Sequence, residues 1–367
     1  MRILHLAPRL SDRGGADRDL LALLDLLGAQ HHQVLITSQH DEPPELPSSL
    51  EIEVVPGLDA RDAQTVDLDA LVARHKPDLI HAHNLMNPAL LESAAAAGAL
   101  LTVQDHRFLC PGRGKWTAAG EVCGAPLDRA RCRACFDDEG YFCGLWELTT
   151  QRLRAAQKMR AVSVLSFYMR AQLVDAGVDA DRLHVIPPFA HALDVLAVPE
   201  VPPCVLFVGR VVDSKGVRDA IVSWRRSGLD LPFRIAGTGR LRNAVVAEGV
   251  EVLGWVGRSR LSSLYRAAQV LVLPSRWQEP FGIVGLEALS LGVPVAAWHS
   301  GGVAEWHPGG AGLVAWGDVE GLALALRDLA GTRMALRPGF TREDALARWS
   351  ALYTSLGVKQ RESGGSP

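Results

Sequence analysis

The chain has 367 residues, of which 48% are hydrophobic, and its 38 basic and 41 acidic side chains give a net charge of −3. This length predicts about two domains, because a single core rarely grows beyond roughly 250–300 residues. The slightly acidic balance argues against nucleic-acid binding, and no run approaches the roughly 18–20 apolar residues of a transmembrane helix.

The first half of the chain alternates short apolar strands with helical segments, which predicts a parallel sheet covered by helices. The first strand, Ile3–Leu6, is soon followed by Pro8, which leaves too short an apolar run for a secretory signal, so we expect a cytoplasmic protein. The helix predicted near Asp17–Ala29 carries three aspartates, so no basic amphipathic helix supports the peripheral attachment to the inner membrane face that the sequence leaves open. The further strands are Gln33–Thr37, Glu51–Val55, Leu79–Ala82, Ala99–Val103, Ala161–Leu165 and Leu183–Ile186, and the further helices lie near Leu68–His75, Pro88–Ala97 and Tyr141–Met159.

The second half restarts the alternation of strands and helices at Cys204, after a proline-rich stretch without helical periodicity. Thr341 is expected to cap a final helix. The strands are 204–210, Phe233–Ala236, Val250–Leu253, Val270–Leu273, Val295–Ala297 and Gly312–Val314. The predicted organisation is a first domain at 1–187 with a cysteine-rich insert at 106–144, a linker at 188–203, a second domain at 204–338, a final helix at 339–357 and a disordered tail at 358–367.

Residues 279–288 (EPFGIVGLEA) place two carboxylates eight positions apart around a Phe-Gly turn. The turn at Gly282 is expected to open a helix that ends near Leu291. The first N–H groups of a helix have no partner within it and carry partial positive charge, so they suit a phosphate. Glu279 before the turn and Glu287 about one helical turn inside the helix can then face the same ligand.

Residues 270–305 resemble the donor-binding segment of glycosyltransferase family 4, a retaining family with the GT-B fold. The resemblance continues through Gly-Val-Pro-Val at 292–295 and Ser-Gly-Gly-Val-Ala-Glu at 300–305, and weaker likenesses extend it over nearly the whole chain. It implies two Rossmann-like domains that face a central cleft, with the last helix crossing back to the first domain. It also implies that Glu279 contacts the sugar and Glu287 the ribose of a nucleotide-diphosphate sugar, whose diphosphate meets the helix start at Phe281, Gly282, Ile283 and Val284.

Two cations lie on the loop after the first strand of the second domain. Arg210 follows Gly209 at the strand end, and Lys215 comes five residues later, at the edge of the sheet where open α/β sheets bind ligands. The resemblance implies that both neutralise the donor diphosphate, which stabilises the charge that grows on the leaving phosphate. The alternative is that they are ordinary solvated side chains.

Two further features are assigned to the donor site by the resemblance. Gly14 and Gly15 follow the first strand, and without side chains they let the backbone approach a phosphate closely. Trp255 follows a strand where the family holds the nucleotide base. The alternatives are a plain turn for the glycine pair and a buried packing role for the tryptophan.

The end of the strand at 99–103 departs from the family pattern. Relatives usually carry a histidine directly before Asp105, where it contacts the donor sugar, whereas this chain has Gln104 there and a histidine at His106. Glutamine forms hydrogen bonds but does not titrate near neutral pH. Either Gln104 positions the sugar, or His106 supplies the imidazole from a shifted loop.

Five of the six cysteines lie between residues 110 and 143. Cys132 and Cys135 form a C-x-x-C pair, and Cys110 and Cys123 complete four candidate thiolate ligands, with Cys143 as a substitute. A reducing cytoplasm disfavours disulfides. A structural zinc ion is the favoured interpretation, and an iron–sulfur cluster or free thiols are the alternatives.

The sequence thus predicts an enzyme that moves a sugar from a nucleotide-diphosphate donor to a glycan, a lipid-linked acceptor or a small molecule. The family's mechanism is retaining and needs no metal or cofactor for catalysis. A non-catalytic GT-B protein that binds nucleotide-sugar or glycan as a sensor or scaffold is the alternative, and a nucleotide-sugar epimerase is a third interpretation. A nicotinamide-dependent dehydrogenase is disfavoured, because the Gly-x-Gly at 237–239 lacks the third glycine of that fingerprint.

Overall fold

Two parallel β-sheets, one from each half of the chain, organise the fold in this computed structural model. The structure describes residues 1–41, 46–47, 49–59, 66–190, 201–246 and 249–357. The first sheet has seven strands in the order β3-β2-β1-β4-β5-β6-β7. They are β1 (Arg2–Leu10), β2 (His32–His40), β3 (Leu50–Val54), β4 (Leu79–His83), β5 (Leu100–Val103), β6 (Ala161–Val164) and β7 (Leu183–Val185).

The second sheet has six strands in the order β10-β9-β8-β11-β12-β13. All pairings between neighbouring strands in both sheets are parallel, and this confirms the predicted architecture of two Rossmann-like domains. The strands are β8 (Cys204–Val208), β9 (Phe233–Ala236), β10 (Glu251–Gly254), β11 (Ala268–Leu273), β12 (Val295–Trp298) and β13 (Leu313–Val314).

Helices connect the strands of both sheets. In the first half they are α1 (Gly15–Leu27), α2 (Leu68–His75), α3 (Pro88–Ala96), α4 (Arg129–Arg133), α5 (Glu139–Lys158) and α6 (Phe167–Asp175). In the second half they are α7 (Val217–Ser227), α8 (Arg242–Val246), α9 (Arg258–Ala267), α10 (Ile283–Ser290), α11 (Val303–Trp306), α12 (Val319–Leu329) and α13 (Arg342–Gly357). Within the described ranges, no helix combines the length and the apolar character needed to traverse a bilayer.

The residue before each helix separates the helices into two kinds. An Asp, Asn or Ser side chain caps five of the longer helices, and Thr341 caps α13, because such oxygens accept hydrogen bonds from the first free N–H groups. Four others of at least eight residues begin after a glycine and have no side-chain cap. The capped helices are α2 (Asp67), α3 (Asn87), α5 (Asp138), α6 (Ser166) and α12 (Asp318), and the uncapped ones are α1 (Gly14), α7 (Gly216), α9 (Gly257) and α10 (Gly282).

The strand orders explain why the predicted site residues meet. The order reverses direction between β1 and β4 in the first sheet and between β8 and β11 in the second. Open α/β sheets bind ligands in the crevice outside the carboxyl ends of strands at such reversals. The loops that leave β1, β8 and β11 there carry Gly14, Arg210 and Glu279.

Helix α13 returns to the first sheet, as predicted. Trp349 and Tyr353 are buried in one hydrophobic cluster with Ile3 and Leu79 of that sheet. Thr341 caps the helix, since its Oγ1 accepts a hydrogen bond from the Asp344 N–H at 3.2 Å. We propose that the domains join at the proline-rich stretch after β7; residues 191–200 of this predicted linker and the predicted disordered tail, 358–367, lie outside the described residues.

Candidate functional site

Glu279 and Lys215 meet at the carboxyl edge of the second sheet. Lys215 Nζ lies 2.6 Å from Glu279 Oε1, and the side chains are 18% and 4% exposed. Ser275 Oγ also donates to Glu279 Oε1, and the Glu279 N–H donates to Ser300 Oγ at 3.2 Å. Glu279, the first predicted carboxylate, is therefore fixed in one orientation by Lys215 and Ser275 on its side chain and by Ser300 on its backbone.

Glycine is required at position 216 to bring Lys215 there. Gly216 has a φ of 67°, and a Cβ at this position would lie 1.8 Å from the Pro274 carbonyl oxygen. Any larger residue would push the lysine loop away from the segment that leads to Glu279.

Arg210 lies beside the same pair. The exposed Arg210 guanidinium and the Lys215 ammonium lie 5.7 and 4.2 Å from the centroid of the Trp277 ring. An indole face attracts cations, so Trp277 holds both charges on one side of the loop. The structure therefore brings together the two cations and the first carboxylate of the sequence prediction.

Burial and charge act in opposite directions on this ion pair. Burial pushes the pKa of Glu279 upward, but the adjacent Lys215 charge and hydrogen bond outweigh it and hold that pKa below its ordinary value. Burial lowers the pKa of Lys215, and Arg210 adds to this effect while Glu279 opposes it. A bound anion would stabilise the charged lysine.

The uncapped starts of α1 and α10 lie against each other. Gly282 precedes α10 with a φ of 92° and no side-chain cap, and Gly14 before α1 also lacks one. A Cβ added to Gly15 would lie 3.3 Å from Ile283 Cγ2, so the two helix starts approach each other across the two domains. The first N–H groups of both helices, which have no partner within their own helix, therefore lie near each other.

Glu287, the second predicted carboxylate, joins the two domains. Arg18 Nη1 in α1 lies 3.0 Å from Glu287 Oε1, and the Glu287 side chain is 3% exposed. Tyr265 OH donates to the other carboxylate oxygen at 2.7 Å. The sequence indicated neither partner, because a single arginine or tyrosine in a helix has no recognisable signature.

Gln104 and His106 have different surroundings. Gln104 Nε2 donates to Asp19 Oδ2 of α1 at 2.8 Å, which places the glutamine beside the Gly14–Gly15 turn. His106 Nε2 donates to the Gln278 carbonyl oxygen of the second domain at 2.7 Å. Burial lowers the pKa of His106, and it raises the pKa of Asp19 to about 6.

Further contacts hold the donor segment against the first domain. Both oxygens of Glu305 accept from the N–H groups of Phe167 and Tyr168, each at 2.8 Å, at the start of α6. Ser166 Oγ donates to the Pro280 carbonyl oxygen at 2.6 Å. The residues on each side of Glu279 are thus fixed to the opposite domain.

The remaining predicted donor residues occupy different environments. Trp255 is 51% exposed and lies 5.8 Å from the Arg13 guanidinium, so it is not a buried packing residue. The Phe281 ring is buried against Phe340, so only its backbone is available to a ligand. Ile283 and Val284 are partly exposed at the start of α10.

The predicted cysteine ligands lie in one part of the insert but are not tightly grouped. All six cysteines of the chain are free. In the described residues, the group of three or more potential ligands within 4.8 Å of one another is His5, His81 and His83, so no three cysteine sulfurs approach that closely.

Hydrogen bonds engage ring nitrogens of all three histidines in this group. His5 Nδ1 lies 2.8 Å from His83 Nε2, and His81 bonds to Tyr353 OH and Thr102 Oγ1 at 2.7 and 2.6 Å. Burial lowers the pKa values of all three histidines, that of His5 to about 3. Of these neutral rings, His81 contacts α13 through Tyr353 and thus holds that helix against the first sheet.

Two family models match the chain. The model described as "Glycosyl transferase 4-like domain" matches residues 14–188, and the model described as "Glycosyl transferases group 1" matches residues 202–331. The N-terminal match contains the glycine turn and Gln104. The C-terminal match contains Arg210, Lys215, Glu279 and Glu287.

Curated relatives match parts of the chain. The glycogen synthase of Mycobacterium tuberculosis is 33% identical over 147 residues, which cover 37% of this chain and 33% of that protein. The D-inositol 3-phosphate glycosyltransferase of Xylanimonas cellulosilytica is 32% identical over 221 residues, covering 48% of this chain and 52% of that protein. The matched part of the chain therefore spans about a third to about half of the length of these relatives.

Solved structures share the fold over almost the whole chain. Sucrose-phosphate synthase from Thermosynechococcus elongatus superposes with a TM-score of 0.63 at 19% identity, covering 97% of this chain and 96% of that one. Anabaena HepE in complex with UDP-glucose gives a TM-score of 0.63 at 18% identity, covering 97% and 100%. With both halves matched by these models and the GT-B fold shared with these structures, the chain belongs to the GT4-type glycosyltransferases.

Proposed function

We propose that the protein is a retaining glycosyltransferase that uses a nucleotide-diphosphate sugar as donor. The observation that carries the proposal is the Lys215–Glu279 pair beside the uncapped start of α10. Cations, free helix N–H groups and a fixed carboxylate are the groups that a diphosphate linked to a sugar requires. The presence of UDP and UDP-glucose in the HepE structures supports a nucleotide-sugar donor.

Each site residue has a proposed role. Arg210 and Lys215 neutralise the diphosphate together with the N–H groups at Gly14, Gly15 and the segment 281–284. Glu279 accepts hydrogen bonds from the donor sugar, and Glu287 accepts them from the ribose. Trp255 lies against the base. Gln104, beside the glycine turn, positions the sugar, while His106 fastens the two domains through Gln278.

The proposed transfer needs no metal ion. The bond between the sugar C1 and the phosphate oxygen breaks, and the acceptor hydroxyl attacks C1 on the same face. The proton of that hydroxyl passes to the departing phosphate oxygen, so the configuration at C1 is retained. The protein contributes orientation and charge stabilisation.

An assay with a panel of nucleotide sugars tests this function. The full chain is incubated with each donor, with and without glycan, lipid-linked and small-molecule acceptors, and release of nucleoside diphosphate is measured. We expect release from at least one donor, increased by the right acceptor. Donor binding without release under every condition would instead identify a sensor or scaffold, and interconversion of donor sugars would identify an epimerase.

A further inference from the structure

We propose that Cys110, Cys123, Cys132 and Cys135 bind one structural zinc ion, which orders the cysteine-rich insert and fixes it against the donor segment. This site lies outside the sugar-transfer chemistry of the proposed function. It has no catalytic position, because four thiolates leave no ligand site for water or substrate.

Backbone hydrogen bonds and packing order the segments of the insert that carry its four cysteines. The bridge between Trp116 and Val122 closes a hairpin, and the Cys123 N–H donates to the Lys115 carbonyl oxygen at 2.9 Å. The C-x-x-C pair lies at the end of the short helix α4. There the chain turns, and the Cys135 N–H donates to the Cys132 carbonyl oxygen at 3.1 Å. A Cβ on Gly112 would lie 3.6 Å from Cys135 Cβ, so the Cys110 loop packs directly on this pair.

A tyrosine lies beside the loop that carries Cys110. The Tyr168 ring centroid is 5.9 Å from that of His106, whose carbonyl oxygen accepts a hydrogen bond from the Cys110 N–H at 2.7 Å. The Tyr168 hydroxyl is buried and has no hydrogen-bond partner in the described residues, so it is available to donate to a metal-bound sulfur.

Zinc binding has to draw the sulfurs closer together. No three of them lie within 4.8 Å of one another in the described residues, whereas Zn–S bonds of about 2.3 Å in a tetrahedron separate the sulfurs by less than about 4 Å. The segment around Cys123 has room for this adjustment, because a Cβ added to Gly120 or Gly124 would meet nothing within 4 Å, and glycine leaves the backbone more conformations than other residues.

The charge around three of the four cysteines favours thiolates. Residues 107–133, which carry Cys110, Cys123 and Cys132, contain six cations and two acids, whereas three further acids follow Cys135 at 137–139. A zinc ion with four thiolates carries a net charge of −2. Nearby cations stabilise the deprotonated form of cysteine. The cations are Arg107, Arg113, Lys115, Arg129, Arg131 and Arg133, and the acids are Glu121 and Asp128.

The insert lacks a core that would otherwise hold it. No residue from Thr117 to Tyr141 is buried, and α4 is the one helix in that stretch before α5 begins. A segment with so little burial needs a covalent or metal cross-link to keep one conformation. The insert also reaches the site, because the Gln278 N–H donates to the Gly114 carbonyl oxygen at 3.0 Å, next to Glu279.

Metal analysis of the full chain, purified without added metal or chelator, tests the proposal. We expect one zinc ion per chain, released when a mercurial blocks the thiols. Cobalt exchanged into the wild-type protein should show tetrahedral cobalt–thiolate absorption, which does not depend on any variant folding. A chain that binds neither zinc nor cobalt, or that contains iron with labile sulfide, would overturn the proposal.

Single substitutions identify the ligands. Cys132→Ser and Cys123→Ser should each lose most of the zinc. Cys143→Ser should retain it, because Cys143 lies on α5 and accepts a hydrogen bond from Arg129 at 3.4 Å. Loss of zinc in Cys143→Ser together with full zinc in Cys123→Ser would contradict the ligand set.

Discussion

Arg18 Nη1 in the first domain lies 3.0 Å from Glu287 Oε1 in the second, and Tyr265 occupies the other carboxylate oxygen. Glu287, the proposed ligand of the donor ribose, therefore has a protein partner on each carboxylate oxygen. Its side chain is only 3% exposed, so we expect a ribose that binds Glu287 to displace Arg18, and this ion pair then competes with the donor.

Substitution of Arg18 by Met is expected to tighten binding of a nucleoside diphosphate. This substitution removes the cation that competes with the ribose. The buried Glu287 carboxylate then gains a new hydrogen-bond donor when the ribose binds. We expect an affinity gain of about three- to ten-fold, or roughly 1 kcal/mol, measured by calorimetry. Arg342→Met is the matched control, because Arg342 also pairs with α1, at Asp25, 2.7 Å away. Weaker binding in Arg18→Met alone would mean that Arg18 itself contacts the ligand.

Glu279→Gln and Lys215→Met are each expected to reduce the rate of sugar transfer by at least about 100-fold. Removal of one group that stabilises the charge of the transition state has an effect of about this size in enzyme active sites. Both substitutions preserve side-chain size, and circular dichroism and melting curves would show whether the fold is retained. Lys158→Met is the control, since Lys158 forms an exposed pair with Glu92 at 2.8 Å, far from the site. Unchanged turnover in either site variant would remove the assignment of that residue.

Asp19 is expected to make stability depend on pH. Its folded pKa of about 6 lies above the ordinary value of 3.8, so the folded state binds more protons than the unfolded state between these pH values, and stability falls as pH rises through them. Asp19→Asn should therefore gain stability over wild type between pH 4 and pH 7, by at most about 3 kcal/mol. Denaturant titrations at several pH values measure this gain, with Asp175→Asn, at an exposed site, as control. A stability difference that stays constant with pH would contradict the burial of this carboxyl group.

Gly114→Ala is expected to disturb the contact between the insert and the donor segment. A Cβ at Gly114 would lie 2.9 Å from the Trp277 ring, whereas one at Gly120 would meet nothing within 4 Å. Both glycines have positive φ, at 74° and 84°, so Gly120→Ala carries similar backbone strain without the clash. We expect the larger loss of turnover and melting temperature in Gly114→Ala, because overpacking typically costs about 1–3 kcal/mol. Equal effects in the two variants would show that the contact is unimportant.

Alternating strands and the residue types at helix starts made the fold predictable. Each predicted strand is present, because buried parallel strands appear in sequence as short apolar runs. Helix α1 begins at Gly15 rather than near Asp17, since the polar first turn after the glycine pair carries no apolar signal. Helix α4 was not predicted, because its five residues are too few to show a period.

The grouping of the candidate site residues was predictable where they follow strands in a recognisable order. Arg210, Lys215 and Glu279 fall on loops after β8 and β11, and the strand order brings these loops together. Arg18 and Asp19 were missed as site residues, because they belong to a helix whose charges look like those of a solvated surface. Only the packing of α1 against the second domain reveals their contacts with Glu287 and Gln104.

Calorimetric titration of nucleoside diphosphates into the wild-type chain and into Lys215→Met tests most directly whether this loop binds a diphosphate. We predict that wild type binds at least one member of a panel and that Lys215→Met binds it at least about ten-fold more weakly, a difference of about 1.4 kcal/mol. Equal affinity in the two proteins, or no binding by wild type to any member of the panel, would contradict the account.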